Sequence, residues 1–122
     1  MEQSLMPKLS KKLSQKIKIG LVHMGFDFAK IGSRYLQDVL LEVLLKPSLL
    51  HSFSTEVLMR VADAHERTYK SVERTIRWAI SDAYKVNSTM RQIQCFRQGK
   101  VPTIKQIVNF LFDYFVEFDY VY

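Results

Sequence analysis

Apolar residues recur at helical spacing along most of the chain. Leu5, Leu9, Leu13 and Ile17 stand four apart, interleaved with Lys8, Lys11, Lys12, Lys16 and Lys18. This pattern predicts an amphipathic helix over about 7–23, ended by Gly25. Gly25 to Gly32 reads as a short connection anchored by Phe26 and Phe28. Tyr35, Leu36, Val39, Leu40, Val43 and Leu44 then repeat the helical period between Ile31 and Leu45. Lys46-Pro47 stops that helix, because proline disfavours helical geometry in the residue before it. Residues 48–53 have room for one short turn.

A third helix is expected over 54–66. Ser54 is its cap, Glu56 lies in the first turn where the helix dipole favours an acid, and Val57, Leu58, Val61 and Ala64 form the buried stripe. The period breaks near 65–69 and resumes over 70–84. Asn87-Ser88-Thr89 marks a turn before a short, weakly patterned helix over about 89–96, and Gln98-Gly99-Lys100 is the next break. Pro102-Thr103 opens the last helix, about 103–119. Thr103 and Gln106 have capping-box spacing. Ile104, Ile107, Val108, Leu111, Phe112 and Phe115 make its core stripe. No strand alternation of useful length, internal repeat or low-complexity segment interrupts this series. The expected class is all-α, a single helical domain over 1–122 with about six helices and a central helix-turn-helix at about 54–84.

Composition narrows the function classes. The chain has 122 residues, 48% of them hydrophobic, which suits one modest core. Lys and Arg number 18 against 12 Asp and Glu, so the net charge of +6 suits a polyanionic partner. The longest apolar runs, such as Val39 to Leu45, fall far short of the roughly 20 residues of a membrane span. The lysines near the amino terminus are interleaved with leucines rather than placed ahead of an apolar core, so no signal peptide is read there. That basic face reads as the solvated side of an ordinary helix. The sharper alternative is contact with phosphates or a membrane surface, and the membrane version is weakened because no Trp or Phe lies on the apolar stripe before Phe26. A cytoplasmic, nucleoid-associated protein with no membrane partner is expected.

The helix over 70–84 carries the chemistry. At about 100° per residue, Lys70, Arg74, Arg77 and Ser81 fall in a stripe roughly 60° wide. Val72, Ile76, Ala79 and Ala83 fall opposite. A narrow cationic ridge backed by a packing face suits a helix in the major groove, where arginine reaches both acceptors of guanine. Glu73 lies beside the ridge, within reach of a cytosine amine. The bland alternative is a solvated surface helix. Trp78, at the shoulder of the ridge, is expected to pack against a neighbouring helix because of its large area, with contact to a DNA sugar or thymine methyl as the minority view.

Other chemistry is not indicated. His23, His51 and His65 are far apart and the single Cys95 has no Cys-x₂-Cys partner, so no metal site, cofactor or disulfide is expected. Cys95 reads as a small buried residue. No glycine-rich phosphate loop is present, and no enzyme is read. The carboxyl end is crowded with aromatic residues and has no Lys or Arg after Lys105. Beside the core stripe it carries a second one, Phe110, Tyr114 and Phe118. Either the last helix is sunk in its own domain, or this stripe is a dimer or partner surface.

The run TYKSVERTIRWAISDAY, Thr68 to Tyr84, resembles the recognition helix of the DNA-binding effector domain of stage zero sporulation protein A, the response regulator of endospore formation. The VER-x-IR-x-AI core is present as Val72-Glu73-Arg74, Ile76-Arg77 and Ala79-Ile80. An upstream H-x-x-G…G-x-x-YL pattern is echoed by Gly25, Gly32, Tyr35 and Leu36, with His23 one residue closer to its glycine. A G-K-P-T element is echoed by Gly99, Lys100, Pro102 and Thr103, with Val101 inserted. The resemblance covers about residues 10–112. It implies a six-helix domain that binds a short box resembling TGTCGAA, often as paired copies. Glu73, Arg74 and Arg77 match the family's base-reading positions. Lys70, Ser71 and Ser81, with Lys11, Lys12 and Lys16, are candidates for DNA backbone or flanking contacts. Where the family has T-P-S-R, this chain has Thr68, Tyr69, Lys70 and Ser71, so a serine replaces a family arginine. No phospho-accepting receiver is recognisable in the 122 residues, so the usual phosphorylation switch is expected to be absent.

Two functions follow. The first is a sequence-specific regulator of transcription that binds double-stranded DNA in a spore-forming bacterium or one of its mobile elements. The second is an interaction module that pairs with the full-length sporulation regulator or with RNA polymerase, for instance as an antagonist.

Overall fold

The computed structural model describes the backbone of residues 2–52, 56–86, 88–93 and 99–118, and the side chains of 11–51, 56–86, 90–93 and 99–117. Among the described residues there are six α-helices and one 3-10 segment, Pro47–Ser52, and no strand. The fold is all-α.

Helix α1, Glu2–His23, begins several residues before the Pro7 expected from its sequence. Leu13, Ile17 and Leu21 are buried. The helix ends as expected at Gly25, whose φ of 94° is the left-handed conformation that suits a residue without Cβ. The Phe26 amide donates to the Leu21 carbonyl at 3.0 Å and the Gly25 amide to Val22 at 3.0 Å, a Schellman closure of the last turn. Phe26 enters the core, while Phe28 lies half-buried beneath the Lys18 ammonium, 5.4 Å from the ring centre.

Helix α2, Ile31–Leu45, is the central element, touching α1 and every other long helix. Tyr35, Leu36, Val39, Leu40 and Val43 are buried on it. Gln37 Nε2 donates to the Ser14 carbonyl at 2.7 Å and hydroxyl at 2.8 Å, pinning α2 to α1. At another of its contacts the backbone itself is the packing surface. A Cβ on Gly32 would lie 2.3 Å from the Thr75 carbonyl oxygen and 2.9 Å from Ala79 Cβ. Both residues belong to α4, Tyr69–Val86. A side chain is excluded there, so α2 and α4 cross at the distance that glycine allows.

Helix α3, Leu58–Ala64, is shorter than the expected 54–66. The expected cap, Ser54, lies outside the described residues, and residues 56–57 form a wider π-type turn. Val57, Leu58, Val61 and Ala62 are buried, whereas Ala64, expected on the inner stripe, is exposed. Ala64 is the last residue of the helix, where the chain turns at His65 and leaves it uncovered.

The turn into α4 is another Schellman closure. The Arg67 amide donates to Ala62 at 2.9 Å and the Glu66 amide to Asp63 at 3.1 Å. Glu66 occupies the left-handed position with φ 55°, among the described residues the one non-glycine residue at positive φ. His65 fastens this turn to α2. Its Nε2 is 2.6 Å from Asp38 Oδ2, and its ring meets Tyr35 edge-on at 4.8 Å.

Thr68 caps α4 by accepting the Ser71 amide at 3.1 Å, so the helix starts one residue before the expected Lys70. Its far end is closed by Arg91, which donates to the Tyr84 and Lys85 carbonyls at 2.7 and 2.8 Å. Arg91 belongs to α5, Ser88–Arg91, a single turn where a helix over 89–96 was expected; residues 94–98 lie outside the described residues. The last helix, α6, runs Ile104–Phe118. Its capping box forms as the spacing predicts. The Thr103 amide donates to Gln106 Oε1 at 2.9 Å, and the Gln106 amide to Thr103 Oγ1 at 3.1 Å. Ile104, Ile107, Val108, Leu111 and Phe115 are buried, and Phe112 packs half-buried against them.

Candidate functional site

Helix α4 has two unlike faces. Val72, Ile76, Ala79, Ile80 and Ala83 are buried against the rest of the domain. Because these five apolar residues, spread over a little more than three turns, seat the helix firmly, the opposite face is held at a fixed rotation. That face carries Lys70, Arg74 and Arg77, all exposed, with Ser81 half-buried behind them. Ser71 is half-buried in the first turn, where its amide completes the Thr68 cap and its carbonyl accepts the Thr75 hydroxyl at 2.7 Å.

The two arginines have different neighbours. Arg77 Nη2 lies 3.8 Å from Glu73 Oε1, one helical turn back. The Arg74 guanidinium lies 5.5 Å from the centre of the Trp78 ring, one turn forward. Trp78 is 61% exposed, contrary to the packed position expected from its size. Position on the helix decides this. Ile76 and Ile80 take the inner face, and a residue four after Arg74 must share Arg74's side.

Lys11, Lys12 and Lys16 are not brought onto this face. They stand on α1, which packs on α2; Lys11 and Lys12 are exposed and Lys16 is half-buried. A contribution the sequence reading did not single out comes instead from the start of α6. Leu58, Glu73 and Arg77 share an open, largely apolar groove of about 380 Å³ with Val101, Pro102, Thr103, Ile104 and Lys105, which brings the cation Lys105 beside Arg77. The only signal for it was the G-K-P-T echo, which contains the capping residue.

On the aromatic stripe of α6, Phe110 is half-buried against the core and Tyr114 is 42% exposed, its ring edge-on to Phe115 at 5.5 Å. The side chain of Phe118, like Cys95, lies outside the described residues. Phe110 and Tyr114 border an apolar groove of about 220 Å³ with Gly20, His23, Met24 and Ile93. Among the described residues, no group of three His, Cys, Asp or Glu side chains is placed to hold a metal ion, and no helix is long and apolar enough to cross a membrane. The hydrogen bond and charge of Asp82, 2.6 Å away, hold the Lys30 ammonium above the usual lysine range, a solvent-screened link between the start of α2 and α4.

Residues 17–113 match the family described as sporulation initiation factor Spo0A C terminal. The chain belongs to this family. The matched span takes in all of α2 to α5 and most of α6, with the whole ridge of α4 at its centre. Lys11, Lys12 and Lys16 precede it, and Tyr114 and Phe118 follow it. The chain matches no curated protein sequence.

Proposed function

We propose that the protein is a sequence-specific, double-stranded-DNA-binding regulator of transcription, with α4 as the helix that enters the major groove. The observation that carries this reading is the exposed ridge Lys70, Arg74 and Arg77, on the second helix of a helix-turn-helix whose inner face is fully seated. Membership of a sporulation-factor family supports it. In this reading Arg74 and Arg77 each donate to the O6 and N7 of a guanine, and Glu73 accepts from a cytosine amine. Lys70, Ser71 and Ser81 contact the flanking phosphates. Lys11, Lys12 and Lys16 add attraction for the backbone without sequence information, where the duplex passes α1. Phe110, Tyr114 and Phe118 form a pairing surface for a second copy, which is how helix-turn-helix proteins commonly occupy two half-sites. The cell interior of a spore-forming bacterium, at the nucleoid, is the place for such activity.

A second reading is favoured by the exposed apolar side chains Ile19, Val22 and Tyr114. In it the protein acts by pairing with a full-length sporulation regulator or with RNA polymerase.

Selection of bound sequences from random duplex DNA tests the first reading. A short enriched box is expected. Arg74→Ala or Arg77→Ala should weaken binding to that box by about 1–3 kcal/mol and relax one or two base pairs, with a smaller loss on random DNA. No binding at low salt would overturn the reading and leave the interaction module.

A further inference from the structure

The ridge of α4 has an apolar shoulder. Trp78 is the one tryptophan of the chain, and it is 61% exposed on the face that carries the arginines. Burying a tryptophan is favourable, so one left in water on a well-seated helix is a surface open to a partner. Its neighbour is the Arg74 guanidinium, 5.5 Å from the ring centre. A cation over the ring face is attracted by about 0.5–1 kcal/mol at an exposed site and covers part of one side of the indole. The rest of the ring faces outward beside it.

We propose that Trp78 reads a thymine, by apolar contact of its indole with the C5-methyl group, next to the guanine read by Arg74. This rests on α4 being the DNA-reading helix. The major groove presents one apolar mark, the thymine methyl, and an exposed aromatic ring beside a groove-facing arginine is matched to it. Spacing agrees. Residues four apart are about 6 Å apart along a helix axis, and successive bases along a strand are about 3.4 Å apart. The thymine therefore lies one or two base pairs from the guanine. The other shoulder of the ridge is unlike this one, since Glu73 stands there, within 3.8 Å of Arg77, and offers only a hydrogen-bond acceptor. The ridge thus reads a methyl on one side and an amine on the other, which gives the box a direction.

The test uses the full chain and the box enriched from random duplex DNA. If no box is enriched, the DNA reading itself has failed and the thymine contact falls with it; a box that is enriched but indifferent to Trp78 overturns the thymine contact alone. With a box in hand, each thymine is replaced in turn by uracil, which removes only the methyl group. At one thymine the wild-type protein should lose about fourfold in affinity, the value of one buried methyl-sized group. Trp78→Ala should lose at least that much on the unmodified box and be indifferent to uracil at that position. Trp78→Phe should recover part of the loss. Because Trp78 is exposed, these variants should keep the wild-type circular dichroism and melting curve. The fluorescence of the wild-type protein should change on the specific box. The proposal is overturned if wild type and Trp78→Ala pay the same uracil penalty at every thymine, if Trp78→Ala binds the box like wild type, or if DNA binding leaves the fluorescence unchanged.

Discussion

Gly32→Ala should destabilise the protein by about 2 kcal/mol, although alanine is the better helix former. The substitution lies in the first turn of α2, where the gain in helix propensity is at most about 1 kcal/mol. Against it stands the new Cβ, 2.3 Å from the Thr75 carbonyl oxygen and 2.9 Å from Ala79 Cβ. A carbon needs roughly 3.3 Å from an oxygen, so α2 and α4 must separate by about 1 Å. The obstacle is backbone, which cannot rotate away. A radial gap of that size forfeits a quarter to a half of each dispersion contact, and overpacking typically costs about 1–3 kcal/mol. The loss falls on the buried faces of the two helices, which include Leu36 and Val39 on α2 and Val72 and Ile76 on α4. With a urea slope of about 1–3 kcal/mol per molar for a domain of this size, the midpoint should fall by roughly 1 M. Gly20→Ala is the control, since its Cβ would meet the end of the Phe115 ring at 2.8 Å, a side chain that can shift. That variant should stay within about 1 kcal/mol of wild type, because its mid-helix propensity gain offsets the crowding. If Gly32→Ala melts at or above the wild-type midpoint with an unchanged slope, the close crossing of α2 and α4 is refuted.

Glu66→Gly should stabilise the protein by about 0.5–1 kcal/mol in the same urea titration, because the left-handed position costs an L-residue about 1–2 kcal/mol and the greater freedom of unfolded glycine offsets part of the relief. A loss of stability would mean that the carboxylate contributes more than the backbone strain costs. Neutralising Lys11 and Lys12 together should lower the magnitude of the salt slope of DNA binding by about two and leave the preferred sequence unchanged. An unchanged slope returns these lysines to a solvated face. Phe118→Asp should abolish cooperative binding to a double box and spare single-box affinity; unfolding instead would place the aromatic stripe in the core of the monomer.

The elements that were legible in the sequence are those whose signal is local. The caps at Thr103 and Gly25 depend on residues within one turn, and both form at the expected positions. The inner face of α4 follows from its period alone. What was not legible depended on partners distant in the chain or on competition between two rules. His65 gave no sign that Asp38 and Tyr35 would hold it, because those partners stand nearly thirty residues earlier on another helix. The break near 65–69 was legible, but Glu66 hid its geometry, since a Schellman closure is recognised by glycine and here it closes without one. Trp78 was misplaced because size argued for burial and helix position argued for exposure. Position prevailed because Ile76 and Ile80 had already filled the inner face. The lysines of α1 could not be placed relative to the ridge by periodicity at all, because that relation is set by how both helices pack on α2.

On the proposal that α4 reads DNA, the two pairs along it bear differently on specificity. Glu73 and Arg77 face each other across 3.8 Å with their side chains 31% and 60% exposed, so their attraction is weak and screened by salt. Either side chain can therefore leave the other for a base at little cost, and their mutual contact orders them only loosely before binding. Arg74 is held differently. The face of an indole is less screened than an exposed carboxylate, and it constrains the guanidinium without occupying its hydrogen-bond donors. An arginine ordered in this way loses less freedom when it meets guanine, and ordering before binding is where affinity is gained at constant contact area. The base pair opposite Arg74 should accordingly be the most stringent position of the box. That stringency should persist as salt rises, while discrimination at the Arg77 position softens.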